Sequence, residues 1–137
     1  MKDRELRRDN YCFVCGTENP RGMKLKFEKR GNESYARFSL PKYYQGYDGI
    51  IHGGIISLLL DEAMAYLQKP EERFLTGKIT VKFHTPLKVE EEVEVRGWIK
   101  ENRKKLKVTR AEMVRVSDGK LIAEAEALMF VLLEEKE

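Results

Sequence analysis

Hydrophobic and polar positions along the chain predict two strands, one helix and then four more strands. Met23, Leu25 and Phe27 alternate with Lys24, Lys26 and Glu28 up to Arg30. Gly31-Asn32 supplies a turn, and Glu33 to Leu40 returns with Ala36, Phe38 and Leu40 on one face. Pro41 closes this hairpin, and residues 42–51 (KYYQGYDGII) read as a loop. From Gly53 to Gln68 the period becomes helical, and Pro70 ends the run. That segment is apolar almost all round (Ile55, Ile56, Leu58, Leu59, Leu60, Ala63, Met64, Leu67), as in a helix buried on most sides. Past it the period is two. Ile79, Val81 and Phe83 alternate with Thr80 and Lys82 until Pro86, and Val93, Val95 and Ile99 follow with Gly97 expected as a bulge. Asn102-Arg103-Lys104 turns the chain into Leu106–Val116, and Asp118-Gly119 turns it into Lys120–Leu133, where Ala123, Ala125 and Ala127 alternate with Glu124 and Glu126. Ahead of all this stand a charged lead over 2–10, with helical character, and a loop over 11–22.

A helix apolar on nearly every face must be covered by the sheet. The pattern therefore predicts an α+β fold in which a curved antiparallel sheet wraps a central helix. A sandwich with the helix on one face is the other arrangement it allows. At 137 residues the chain reads as one domain, 1–137, able to bury a core without a disulfide or metal staple. No apolar run reaches the roughly 20 residues of a membrane span, and the N-terminal residues lack the apolar centre of a signal peptide, so a cytoplasmic protein is expected. The 26 basic and 23 acidic residues interleave to a net +3, which gives no footprint for nucleic acid. The Lys and Glu richness is that of a thermophile's protein.

With 2 His and 2 Cys, chemistry that needs several histidines is nearly excluded. One segment stands out, His52-Gly53-Gly54 followed by Asp61. Two glycines at a helix start bare backbone N–H groups where the helix dipole is positive, which suits an oxyanion or a polarised carbonyl. The same pair also serves a tight entry into a helix. Asp61 interrupts an apolar helix, either as a perturbed functional carboxylate or as a rim residue. Gly53 and Asp61 are eight residues apart (61 − 53), about 12 Å along the axis, too far to act on one carbonyl. If both act on one substrate, they come from different copies of the chain, so a homodimer with two shared sites is expected. Cys12-x-x-Cys15 with His52 and His84 has the count of a Cys2His2 zinc site, but the spacing fits no standard finger. No βαβ context supports a redox motif. Structural loop cysteines, with no metal, are the expectation, and a disulfide is the alternative for a hyperthermophile.

Three stretches carry a family resemblance. Cys12-Phe13-Val14-Cys15-Gly16 with Asn19-Pro20-Arg21-Gly22, the His52-Gly53-Gly54 to Asp61 signature, and Thr76-Gly77-Lys78 through Pro86 together make the chain resemble the hotdog-fold acyl-CoA thioesterases of the phenylacetate-pathway type. The resemblance implies hydrolysis of an acyl-CoA thioester without a further cofactor, by a homodimer or a dimer of dimers. It implies that Asp61 acts as general base or as nucleophile, and that the Gly53 amide, with Gly54, polarises the carbonyl. His52 would orient that loop, and Thr76 would stand near the attacking water. It also implies that Lys82 and His84 line the path of CoA, with Arg103 a phosphate contact. Met64, Tyr66, Tyr43 and Tyr44 are candidates for the acyl pocket. The rival reading is a non-catalytic acyl-CoA or fatty-acyl binding or sensor module on the same fold. A hotdog dehydratase is disfavoured because neither histidine lies on the helix.

Overall fold

The computed structural model describes residues 6–133, so residues 2–5 of the charged lead lie outside the described residues. Residues 6–10 form no helix; Arg8 instead donates to Glu72 O, and the Leu6 carbonyl accepts from the Arg73 side chain. The elements are β1 (Glu28–Arg30), β2 (Glu33–Phe38), α1 (Gly53–Ala65), β3 (Glu72–Phe83), β4 (Val93–Asn102), β5 (Leu106–Arg115) and β6 (Leu121–Leu133). All six strands join one antiparallel sheet in the order β1-β2-β4-β5-β6-β3. Its inner face curves over α1, one of the two arrangements the periodicity allowed and the one the resemblance implied. Among the described residues no helix is long and apolar enough to cross a membrane.

Three boundaries and the place of one bulge differ from the sequence reading, each for a local reason. The first strand was expected from Met23 but begins at Glu28, because Met23 and Leu25 donate to Phe13 O and Val14 O of the N-terminal loop, and Lys24 takes φ 55°. The helix ends at Ala65, not Gln68. Leu67 N–H turns to Met64 O and Gln68 N–H to Ala65 O, a tighter i→i+3 exit. β3 begins six residues before Lys78, since the register slips between Thr76 and Lys78 and hides the alternation. Gly77 takes that slip under the Phe130 ring, where a Cβ would stand 2.3 Å from Phe130 Cε2. Gly97 is not the bulge; that irregularity lies between Ile99 and Glu101. Gly97 instead lets the helix end touch the sheet, because a Cβ there would lie 2.7 Å from Ala63 O. Ser34 Oγ donates to the same carbonyl at 2.5 Å and so caps an otherwise orphan acceptor.

Ile56, Leu59, Leu60, Ala63 and Met64 of α1 bury against Val93, Val95, Ala111, Met113 and the alanine row Ala123, Ala125 and Ala127 of β6. Alanine there brings the helix close to the middle of the sheet. β3, by contrast, is an edge strand twelve residues long, and its inner-face Ile79 and Phe83 stay 36% and 55% exposed. The helix therefore packs on the central strands and leaves its β3 side open.

Candidate active site

The helix start is built by the loop before it. Gly46 N–H donates to Ile50 O, Ile51 N–H to Leu87 O and His52 N–H to Tyr44 O, which fixes the chain as it enters α1. His52 is the N-cap, with ψ 133°, and its carbonyl accepts from Ile55 and Ile56. Its ring Nδ1 accepts from Gly54 N–H at 2.8 Å. Through that bond His52 caps the helix start. The same bond occupies Gly54. Gly53 N–H has no acceptor among the described residues and lies at the positive end of the helix. Of the two glycine amides, only that of Gly53 remains available. Phe83 of β3 shields it on one side, its ring about a van der Waals contact from where a Gly53 Cβ would be.

Two turns further along, Asp61 is half-buried. Thr76 Oγ1 donates to Asp61 Oδ1 at 2.7 Å, and Met129 Sδ lies 3.3 Å from the same hydroxyl. Thr76 reaches the inner face because of the register slip at Gly77; strict alternation from Ile79 would turn it outward. Oδ2 accepts nothing among the described residues. Gly54, Ser57 and Asp61 form the helix stripe on the open side, with Ser57 Oγ donating back to Gly53 O. One chain thus joins Asp61 to Thr76 and separates both from Gly53.

The remaining candidates do not all converge within one chain. Lys82 is exposed opposite Glu124 on the outer face of the sheet, and His84 Nε2 pairs with Glu124 Oε2 at 2.7 Å. Arg103 sits at the tip of the β4–β5 hairpin, near Glu101, at the Thr76 end of the sheet. From Glu124 to Met129 that is five residues of β6, about 17 Å. Met64 is buried in the core, and Tyr66 packs on Phe27 with ring centroids 5.7 Å apart. Tyr43 and Tyr44 do flank the helix start, around a hollow of about 340 Å³ that His52 and Gly54 also line.

Sequence reasoning overlooked two groups. Lys107 is 6% exposed, its ammonium held by Asn102 Oδ1, and it lies on the inner face opposite Met129. The alternation Lys107, Thr109, Ala111, Met113 carried that signal, because the last three point inward. The second group is Glu62, which faces away from Asp61 toward Cys12 and Cys15. Burial pushes the Glu62 carboxyl up, against a hydrogen bond from Cys15, and the Asp61 charge adds to the rise. Burial also pushes the Cys15 thiol up, with the Glu62 hydrogen bond and charge adding to it. His52 and His84 stand apart from these thiols, engaged with Gly54 and Glu124, so no Cys2His2 set exists among the described residues.

A family model described as thioesterase superfamily matches residues 48–122, which takes in the helix start, Asp61, Thr76 and β3 to β5. No curated protein matches significantly in sequence. Solved structures match in fold. A Streptococcus mutans protein, smu.793, bound to acetyl CoA, is 17% identical with TM-score 0.74, over 82% of this chain and 91% of that one. A hypothetical thioesterase protein with coenzyme A from Streptococcus pneumoniae is 17% identical with TM-score 0.74, over 88% and 94%. Thioesterase HI1161 from Haemophilus influenzae is 12% identical with TM-score 0.77, over 90% and 88%. The fold is the hotdog fold.

Proposed function

Since the chain belongs to the thioesterase superfamily, we propose that it hydrolyses an acyl-CoA thioester to the free acid and coenzyme A. The observation that carries the reading is the Asp61 carboxylate, held by Thr76 Oγ1 at 2.7 Å on one oxygen and free on the other. Asp61 Oδ2 takes a proton from water, whose oxygen bonds to the thioester carbonyl carbon. The carbonyl electron pair moves onto oxygen, where the Gly53 N–H and the helix dipole stabilise it. Collapse breaks the C–S bond, and the proton on Asp61 passes to the departing sulfur.

The two working groups sit about 12 Å apart on one helix, so the site is shared between two copies. The open edge supports this: β3 is long and apolar on its inner face, a surface that natural sheets cover. Antiparallel pairing of two β3 edges sets the Gly53 end of one copy against the Asp61 end of the other. It also sets Lys82 of one copy at the same end as Arg103 of the other. Those cations then serve the CoA phosphates jointly, although neither protomer groups them alone.

The test is thiol release from short, long and aromatic acyl-CoAs. Asp61→Asn is expected to lower turnover about 10²- to 10⁴-fold while CoA-ester binding persists. Hydrolysis that survives this change within about tenfold would remove Asp61 from the reaction. Tight acyl-CoA binding by the unaltered protein with no turnover would favour a sensor module instead.

A further inference from the structure

The N-terminal loop has no part in this chemistry, yet it holds two thiols rigidly beside a carboxylate. Gly16 N–H donates to Cys12 O at 2.9 Å, and a Cβ on Gly16 would meet Cys12 N at 2.4 Å. Only glycine closes the Cys12–Cys15 turn this tightly. Val14, at its centre, is buried in the core at 2% exposure, and its carbonyl accepts from Leu25 N–H. Asn19 ties the loop to itself, its amide donating to Tyr11 O and its oxygen accepting from Arg21 N–H. The turn thus presents both sulfurs to α1, where Glu62 waits fifty residues away in sequence.

We propose that Cys12, Cys15 and Glu62 form a binding site for a thiophilic divalent cation of the zinc class. The sulfurs and a Glu62 oxygen all lie within 4.8 Å of one another. Cys12 Sγ is 3.9 and 4.0 Å from the two Glu62 oxygens. Bonds of about 2.3 Å to sulfur and about 2.1 Å to oxygen at a tetrahedral angle require about 3.6 Å between sulfur and oxygen. Cys12 and Glu62 therefore need to approach by only a few tenths of an ångström. Two thiolates and a carboxylate select a borderline-soft ion over magnesium or calcium, which want all-oxygen shells.

The surroundings fit that charge. The three ligands line a cavity of about 400 Å³ together with Arg8, Lys29, Tyr66 and Gln68. Among the described residues no Lys or Arg pairs with Glu62. Arg8 donates to Glu72 O and Lys29 to Gln68 O, both backbone carbonyls. Three anionic ligands and a divalent ion leave one net negative charge, which the cations Arg8 and Lys29 on the cavity wall favour. The fourth coordination position opens into that cavity, for water or a small anion. Binding releases two thiol protons to solvent, one from each cysteine, as the sulfurs bond the ion.

Cobalt(II) titration of the reduced, chelator-stripped full chain tests this directly. The chain has 2 cysteines in all, so any thiolate-to-cobalt charge-transfer band reports Cys12 and Cys15. The expected result is a band that saturates at one ion per chain, d–d intensities of a tetrahedral ion, displacement by zinc, no displacement by excess magnesium, and two protons released per ion. Glu62→Gln should weaken the affinity about tenfold or more. Zinc should also protect both cysteines from alkylation, read by mass spectrometry on the unaltered protein, which needs no variant to fold. No thiolate band, saturation at half an ion per chain, or alkylation indifferent to zinc would each overturn the site.

Discussion

Asp61 and Glu62 are neighbours in sequence and live in different surroundings. Asp61 looks toward the open β3 side, where Thr76 gives it one strong hydrogen bond and leaves the second oxygen free. Glu62, about 100° round the helix, looks into the N-terminal loop, where burial raises its pKa and two sulfurs lie near. Same residue class, same helix turn, opposite surroundings: one carboxylate keeps an oxygen free toward the open side, and the other sits where burial disfavours its charge. Helix geometry makes this cheap, because adjacent positions on an otherwise buried helix must face different neighbours.

The sharpest way to break that contrast is to separate the Asp61 end of the helix from the Gly53 end. Gly53→Pro deletes the backbone N–H at a position where proline fits, since it is the first helical residue and His52 before it already holds ψ 133°. Turnover should fall about 10²- to 10³-fold, as when an oxyanion donor is lost. Mixing Gly53→Pro with Asp61→Asn chains and allowing exchange should then restore activity. Half of the dimers become mixed, and one of their two sites holds both intact groups, so recovery should approach about a quarter of the unaltered rate. No recovery, with exchange proven by native mass spectrometry, would place both groups in one protomer or remove one of them from the reaction.

A smaller effect is expected at Thr76. Thr76→Val keeps the shape and removes the hydroxyl that bonds Asp61 Oδ1. Hydrogen bonds to charged groups contribute about 1.5–3 kcal/mol, so turnover should drop about 10- to 100-fold, with KM for acyl-CoA little changed. A KM rise at constant kcat would recast Thr76 as a substrate contact.

Much of this was legible in the sequence. The order of elements followed from where the hydrophobic period changes, and the Gly53 to Asp61 span followed from helix rise alone. Asp61 announced itself as a charge on an apolar helix. What stayed hidden depends on tertiary contact or on register. The bond from Gly54 N–H to His52 needs the ring's position, which no spacing encodes. The slip at Gly77 inverts alternation, so β3 looked shorter than it is. Gly97 read as a bulge because a glycine in a strand serves either to bend it or to admit a neighbour, and here it admits the Ala63 carbonyl. Glu62 meets the cysteines only once the loop folds back across fifty residues.

The mildest prediction concerns Glu62 in chelator-treated protein. Its carboxyl titrates above its ordinary value in the folded chain, chiefly because burial disfavours the charged form. A raised folded pKa means the native state holds that proton more tightly than the unfolded state. Its contribution is therefore fully present below the unfolded value, about 4.3, and is lost as pH rises through the folded one. Glu62→Gln cannot titrate and keeps the shape. Its melting temperature should match the unaltered protein's near pH 4 and exceed it by a few degrees near pH 7. Added zinc should reverse the order at pH 7, since only the carboxylate gains from the ion. A difference between the two proteins that is constant from pH 4 to pH 7 would mean that Glu62 is solvated and as ordinary as any rim residue, and the contrast with Asp61 would collapse.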